Sequence, residues 1–314
     1  MEKLITLTVN PALDVYTTVE KLEPEKKLRC TPSSKDAGGG GVNVSRVLKR
    51  LGHDARTIYT RGGYTGEIFG ELLKKENISQ DPVEVKNDLR QNFAVSETST
   101  GNIFRFGFPG AELEEDAYNR ILQKLENIEG AKFLVASGSL PPGAPKNFYT
   151  RVARVAKEQG LKLIMDTSGD ALCEALKEGA FLIKPNSEEL QDIIGKKASN
   201  NEEQKELLRE VLEKFPVEAI VLSQGPDGAF LATRKGINHF PAPKVEFVSS
   251  IGAGDSMVAG IVSRLCKGKS LEDAVLYGLS CGSATIKSPG TELLKKEDVE
   301  ELYAKLVERV KQES

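Results

Sequence analysis

The feature that most narrows the fold is a long alternation of short apolar runs with segments of helical periodicity. Leu4-Ile5-Thr6-Leu7-Thr8-Val9 reads as a strand, and so do Arg56–Tyr59, Lys132–Ala136, Leu161–Asp166, Phe181–Ile183 and Ala219–Leu222. Between them apolar residues recur at helical spacing, as Val42, Val44, Val47, Leu48 and Leu51 do. Further helices are expected near 65–76, 114–127, 145–159, 170–178, 187–194 and 202–214. The last third is helix-rich, near 253–266, 271–287 and 295–311. Such alternation predicts an α/β fold: a mostly parallel sheet with helices on both faces, in three layers.

Two regions depart from this rhythm. Residues 11–36 and 86–108 alternate polar and apolar side chains with few helix signals. Arg90-Gln91-Asn92-Phe93-Ala94-Val95 and Asn102-Ile103-Phe104-Arg105-Phe106 resemble strands with one wet face. They are expected to form a small separate β-sheet that acts as a lid; edge strands of the main sheet are the alternative. With no Pro- or Ser-rich linker and no internal repeat, 1–314 reads as one domain carrying a discontinuous lid.

Composition excludes several classes. The chain has 43 basic and 46 acidic side chains, a net charge of -3, so no global field favours nucleic acid. Any anion must be captured by local geometry. Cys30, Cys173, Cys266 and Cys281 form no C-x-x-C pair and read as buried or partly buried thiols of a reducing compartment. The N-terminus lacks a signal-peptide pattern and no apolar run approaches membrane-spanning length, so a cytoplasmic protein away from membranes is expected. His53 and His239 lie among surface-type residues, which supports neither a Ser-His-Asp hydrolase nor a His-rich metal site.

Several glycine-rich segments suggest phosphate handling. There is no G-x-x-x-x-G-K-[ST], so a Walker-type loop is absent; H-R-D and D-F-G are absent too. Gly252-Ala253-Gly254-Asp255 lacks the third glycine of a dinucleotide fingerprint, because Met257 stands there. It does offer two glycines that free the backbone, followed at once by a helical pattern. Loop amides and a helix N-terminus would then converge on one anion site. Asp255 in the first helical turn has a plain reading, favourable interaction with the helix dipole. Beside an anion hole it is also a natural general base for a hydroxyl attacking phosphorus.

These residues carry a resemblance. Ile251-Gly252-Ala253-Gly254-Asp255-Ser256-Met257 resembles the C-terminal signature of the ribokinase-like (PfkB) carbohydrate kinases. Ala37-Gly38-Gly39-Gly40-Gly41-Val42-Asn43-Val44-Ser45-Arg46 resembles the N-terminal one. Thr8-Val9-Asn10-Pro11-Ala12-Leu13-Asp14, Ser137-Gly138-Ser139-Leu140-Pro141-Pro142-Gly143 and Lys184-Pro185-Asn186-Ser187-Glu188-Glu189 extend the likeness over essentially the whole chain. The sugar-phosphate branch matches best, and within it the minor bacterial 6-phosphofructokinases. The 1-phosphofructokinases and tagatose-6-phosphate kinases usually carry G-G-K-G where Gly38-Gly39-Gly40-Gly41 stands here.

The resemblance implies a ribokinase-like fold and ATP-dependent phosphorylation of fructose 6-phosphate at its 1-hydroxyl. A 1-phosphofructokinase or tagatose-6-phosphate kinase is the near alternative; a ribose or nucleoside kinase, or a silent sugar-phosphate sensor, is the distant one. It implies that Asp14, Gly39, Gly40, Asn43 and Ser139 position the sugar, with Arg90, Arg105 and Arg29 on its phosphate. Magnesium-bound ATP is expected along Lys184, Asn186, Glu189, Ser223-Gln224-Gly225 and Gly228, with adenine near Ser280–Ser283, including Gly282, and with Lys27 assigned to nucleotide or to a neighbour's site. Glu189 would hold Mg2+ through water, although an Asn186–Glu189 capping box explains the same pair. Asp255 would be the base, with Gly252, Ala253 and Gly254 as the anion hole. A potassium ion is expected near Ser249, Ile251, Thr285, Ser288 and Gly290, with Glu292 standing where the minor bacterial 6-phosphofructokinases are expected to have an arginine. Unpaired lid edges favour a homodimer.

Overall fold

The structure, a computed structural model, describes residues 4–313. In chain order the first half comprises β1 (Leu4–Thr8), β2 (Ala12–Val19), β3 (Ser34–Gly38), α1 (Gly40–Arg50), β4 (Arg56–Arg61), α2 (Gly63–Lys75), β5 (Gln80–Glu84), β6 (Arg90–Glu97), β7 (Ile103–Phe106) and α3 (Glu115–Glu126). The second half adds β8 (Phe133–Ser137), α4 (Phe148–Glu158), β9 (Lys162–Asp166), α5 (Gly169–Leu176), β10 (Ala180–Ile183), α6 (Ser187–Ile194), α7 (Asn201–Lys214) and β11 (Val217–Ser223). It ends with β12 (Ala229–Thr233), β13 (Gly236–Phe240), α8 (Ala253–Cys266), α9 (Leu271–Ile286) and α10 (Lys296–Glu313).

The main sheet runs β13-β12-β11-β10-β9-β8-β1-β4-β5. From β11 to β5 every neighbouring pair is parallel, and β12 and β13 close one edge as an antiparallel hairpin. Successive side chains of a strand face opposite layers. Leu134 and Ala136 of β8 therefore enter one core with residues of α3 to α7, while Phe133 and Val135 enter the other with α1, α8, α9 and α10. This is the three-layer arrangement expected from the alternation.

Three strands escaped the sequence reading. β5 is a polar edge strand interrupted by Pro82, and β13 is mostly exposed, so neither shows an apolar run, whereas β12 is apolar and buried and was passed over despite that signal. The two irregular regions form their own four-stranded sheet, ordered β3-β2-β6-β7, and are not edge strands of the main sheet. β2 and β6 pair parallel at its centre; the outer pairs are antiparallel. Asp14 stands opposite Asp36 on one side and Asn92 on the other, so these share one face. Phe93 and Phe106 are opposed on the reverse face, where Phe93, Phe104, Phe106 and Phe108 are all exposed.

Cys30 is exposed, contrary to the expected burial, because it lies in the open connection between β2 and β3. His53 is half-buried against the Ser263 hydroxyl, and His239 meets the Asp227 carbonyl. Among the described residues no helix is long and apolar enough to cross a membrane.

Candidate active site

The chain leaves β1 in one direction toward β4 and β5, and later returns through β8 to β11 on the other side. The crevice at the carboxyl ends of β1 and β8 is thus a topological switch point, where open α/β sheets bind ligands. The glycine run entering α1 lies there. Gly39 has φ 115, a left-handed backbone that disfavours side chains. A Cβ on Gly40 would stand 2.1 Å from the Ser137 hydroxyl, and one on Gly41 2.5 Å from the Leu7 carbonyl. Glycine here lets α1 start against the strand ends. The Thr8 hydroxyl accepts the Val42 N–H at 2.9 Å, replacing the cap that Gly39 cannot give.

α8 starts in the same crevice from Gly252 at φ 74, again without a side-chain cap. Asp255 lies in its first turn, but its carboxylate does not cap the helix. Instead Oδ2 accepts the Asn43 side-chain N–H at 2.9 Å, joining residues 212 apart in sequence. Burial, reinforced by Asp166, pushes the Asp255 carboxyl up to about 7 against the opposing Asn43 hydrogen bond and Lys184 charge. A carboxyl so tuned exchanges protons near neutral pH, which suits a general base.

Lys184 follows β10 and ion-pairs with Asp166, the last residue of β9, at 3.0 Å; both are largely buried. Burial opposes charge on Lys184, but Asp166 overrides it and holds the ammonium above its ordinary range. That ammonium lies beside the α8 start, since it is the nearest group to a Cβ built on Gly254, at 3.6 Å. A fixed cation and a helix N-terminus therefore face one spot, an arrangement suited to phosphate oxygens.

Asn186 and Glu189 form a capping box at α6: Asn186 Oδ1 accepts the Glu189 N–H, and Glu189 Oε2 accepts the Asn186 N–H, each at 2.9 Å. Burial also pushes the Glu189 carboxyl up. Among the described residues no group of three or more acidic, His or Cys side chains could hold a metal by itself. One partly exposed carboxylate is enough for Mg2+ when phosphates and waters complete its shell. Ser223 is tied to the neighbouring loop through its N–H to the Pro185 carbonyl. Gly225 is exposed, whereas Gly228 is buried, and its Cβ would meet the Phe240 carbonyl at 2.0 Å. Gly282 is buried in the seam between α9 and α8, where its Cβ would stand 3.2 Å from the Ala253 carbonyl. The structure thus gives Gly228 and Gly282 packing reasons for being glycine.

The small sheet brings Asp14 to the site. Asn92 donates to Asp14 Oδ1 at 2.9 Å, and burial pushes the Asp14 carboxyl up despite that bond. Arg90 is not a free clamp. Its guanidinium donates to the Asn10 carbonyl twice, at 3.2 and 3.0 Å, and to the Phe108 carbonyl at 3.0 Å. These bonds use three of its five N–H groups and leave one on each terminal nitrogen. Arg105 shares the Arg90 face of the sheet but is exposed. Ser139 is exposed just beyond β8, with Asn10 donating toward its hydroxyl at 3.5 Å. Lys27 and Arg29 lie exposed in the β2–β3 connection, and among the described residues no hydrogen bond or ion pair ties them to Asp14 or Asp255.

The expected cation residues gather where the end of α9 meets the segment before α8. The Ser249 hydroxyl donates to the Gly290 carbonyl at 3.0 Å, the Ile251 N–H reaches that hydroxyl at 3.3 Å, and the Ser288 N–H donates to the Thr285 carbonyl at 2.9 Å. Hydroxyls and carbonyls are suitable oxygen donors for a hard cation. Glu292 is exposed, and Arg50 from α1 holds the following carbonyls of Leu293 and Leu294.

Sequence reasoning passed over Asp166, Asn92 and the supporting Arg46. Asp166 had a readable signal, an acid closing an apolar strand at its carboxyl end. Asn92 becomes visible only through the parallel pairing of β6 with β2.

A model of the pfkB family carbohydrate kinases matches residues 8–298. The chain belongs to this family. It is therefore a phosphotransferase that acts on an alcohol group. It is 37% identical over 307 residues to the ATP-dependent 6-phosphofructokinase isozyme 2 of Escherichia coli, covering 98% of this chain and 99% of that protein. It is 33% identical over 291 residues to the 1-phosphofructokinase of Bacillus subtilis, covering 92% and 95%. Crystal structures of Escherichia coli phosphofructokinase-2 superpose closely. The complex with potassium gives a TM-score of 0.94 at 37% identity, covering 98% of this chain and 100% of that one. The complex with fructose-6-phosphate gives 0.92 at 36%, with the same coverage.

Proposed function

We propose that this kinase transfers the terminal phosphoryl group of ATP to the 1-hydroxyl of fructose 6-phosphate. The observation that carries the reading is the Asp255–Asn43 bond, which sets a carboxyl tuned to about 7 beside Lys184 and the open start of α8. Asp14, Asn43 and Ser139 orient the sugar, and the two unused Arg90 N–H groups, assisted by Arg105, hold its phosphate; Arg29 would join them only by movement of the β2–β3 connection. Asp255 takes the proton of the attacking hydroxyl. The amides at Gly252–Gly254 and the Lys184 ammonium stabilise charge on the transferring group. Glu189 would hold Mg2+ through water, and the ion would neutralise charge on the nucleotide phosphates. The small sheet acts as a lid within a single kinase domain, excluding water from the crevice.

The likeness to 6-phosphofructokinase isozyme 2 over nearly the whole chain supports this sugar over the 1-phosphate. Position 40 supports it as well. A lysine there, as in G-G-K-G members, would place its Cβ 2.1 Å from the Ser137 hydroxyl and 3.0 Å from the Gly138 nitrogen. Measuring ADP release with fructose 6-phosphate, fructose 1-phosphate, tagatose 6-phosphate, ribose and adenosine is expected to give the highest kcat/KM for the first. A higher value for any other sugar overturns the assignment. Asp255→Asn is expected to lower kcat by about 10²–10⁴-fold with KM nearly unchanged; near-normal kcat rules out the base.

The exposed Phe93, Phe104, Phe106 and Phe108 on the outer lid face suit a homodimer through paired lids. Phe104→Glu is expected to shift the sedimentation coefficient to that of a monomer. Potassium near Ser249 and Gly290 is tested by comparing activity in potassium and choline chloride; equal rates exclude it.

A further inference from the structure

Arg46 sits in the middle of α1 and is only 3% exposed. Its Nε donates to both Glu76 oxygens at 2.9 and 3.0 Å, and Nη2 reaches Glu76 at 2.6 Å and Asp36 at 3.1 Å. Its Nη1 donates to the Ala37 carbonyl at 3.0 Å and toward Asn43 Oδ1 at 3.4 Å. The other end of the Asn43 amide donates to Asp255. The side chain thus joins the end of α2, the lid strand β3 and Asn43, which donates to the base.

We propose that Arg46 is a positioning residue for the base: it fixes which way round the Asn43 amide faces Asp255. A guanidinium carries five N–H donors and no acceptor. Only the oxygen of a neighbouring amide can face it, so the NH2 group must face Asp255. A fixed donor favours the ionised carboxylate, the form able to take a proton. Without Arg46 the amide is free to turn its oxygen to Asp255, which favours the protonated acid and withdraws the base. The Arg46 charge itself is already matched by Glu76 and Asp36, so its influence runs through the amide. Asp166 from β9, Lys184 after β10 and Asp14 from β2 also face Asp255; the hydrogen bonds of Arg46 go to none of them, and its charge is the least of the influences on Asp14. The role rests on Asp255 being the base as proposed above.

The test is the pH dependence of kcat/KM in Arg46→Met, Arg46→Lys and Glu76→Gln, with Asp255→Asn measured beside them. Both Arg46 variants are expected to move the acid limb up by about one pH unit, lowering kcat/KM at pH 7 by about fivefold and well below the limb by about tenfold. Arg46→Lys keeps a cation for Glu76 but has no second arm for Asn43, so it carries the test if Arg46→Met does not fold. Glu76→Gln breaks the ion pair while leaving the guanidinium beside Asn43. It is expected to lower Tm without moving the limb. If Asp255→Asn is inactive and both Arg46 variants that fold keep the wild-type limb, the positioning role is overturned and the base stands. If Asp255→Asn retains normal turnover, both fall together.

Discussion

The two helices of this kinase that start in the crevice both follow a glycine, and the same sequence signal has two physical causes. α1 follows Gly39 and α8 follows Gly252, both at positive φ and both without a side-chain cap of their own. At α1 the glycines are squeezed: added Cβ atoms would collide with Ser137 and with the Leu7 carbonyl, and the Thr8 hydroxyl already fills the cap. At α8 Gly254 is open, with nothing nearer to an added Cβ than the Lys184 ammonium at 3.6 Å. The first start is closed by the protein itself. The second is left for a ligand, and its first turn carries Asp255 where α1 has no acid.

Alanine scanning separates them most sharply. Gly40→Ala is expected to cost about 1–3 kcal/mol through overpacking, because the methyl must displace Ser137 or the Gly138 backbone. Gly254→Ala should leave stability unchanged or raise it by up to about 1 kcal/mol through helix propensity. It should nevertheless lower kcat by about tenfold or more, since the methyl intrudes where transferring charge is held. Urea unfolding and steady-state rates read both effects. Equal stability losses at the two positions would erase the distinction.

How legible each start was follows from the same contrast. The main sheet could be read directly because its parallel strands are buried on both faces and appear as apolar runs. The chemistry of the Gly252–Asp255 turn was readable because it depends on local backbone freedom and one carboxyl. The Asn43 contact with Asp255, the Asn92 contact with Asp14 and the Arg46 node were not, because each joins elements distant in sequence. Arg90 shows the limit from the other side. An arginine on a wet strand suggests a phosphate clamp, yet three of its N–H groups hold backbone carbonyls and fasten the small sheet to the β1–β2 connection. Gly228 and Gly282 also have packing reasons to be glycine, each lying against a carbonyl, which the sequence could not show.

Proton linkage offers a second way to sharpen the comparison, since only α8 carries a strained acid. The Asp255 carboxyl lies near 7 in the folded protein against 3.8 ordinarily. The folded state therefore binds this proton more tightly than the unfolded chain does. Its ionisation makes stability fall as pH rises from about 4 to about 7, after which the loss is complete. Asp255→Asn removes that loss. Its Tm is expected to exceed wild type most above pH about 7, with the gap closing as pH approaches about 4. A gap that widens toward acid would mean the carboxyl is held below its ordinary value. In the native enzyme the same titration should appear as an acid limb in kcat/KM near pH about 7, with activity lost below it because the base is then protonated.

The smallest expected effect tests the claim that α1 is closed by the protein. Thr8 is 1% exposed, and its hydroxyl is the acceptor for the Val42 N–H. Thr8→Val keeps the shape but removes the acceptor, leaving a helix-start N–H buried without a partner. A loss of about 1–2 kcal/mol is expected, in line with the removal of a helix cap. Among the described residues no hydrogen bond joins Thr8 to Asn43 or Asp255, so the acid limb of kcat/KM should stay where it is. If Thr8→Val instead moved that limb, the α1 start would be reporting to the base through its own backbone, and the separation between a structural start and a chemical one would fail at the helix that carries Asn43.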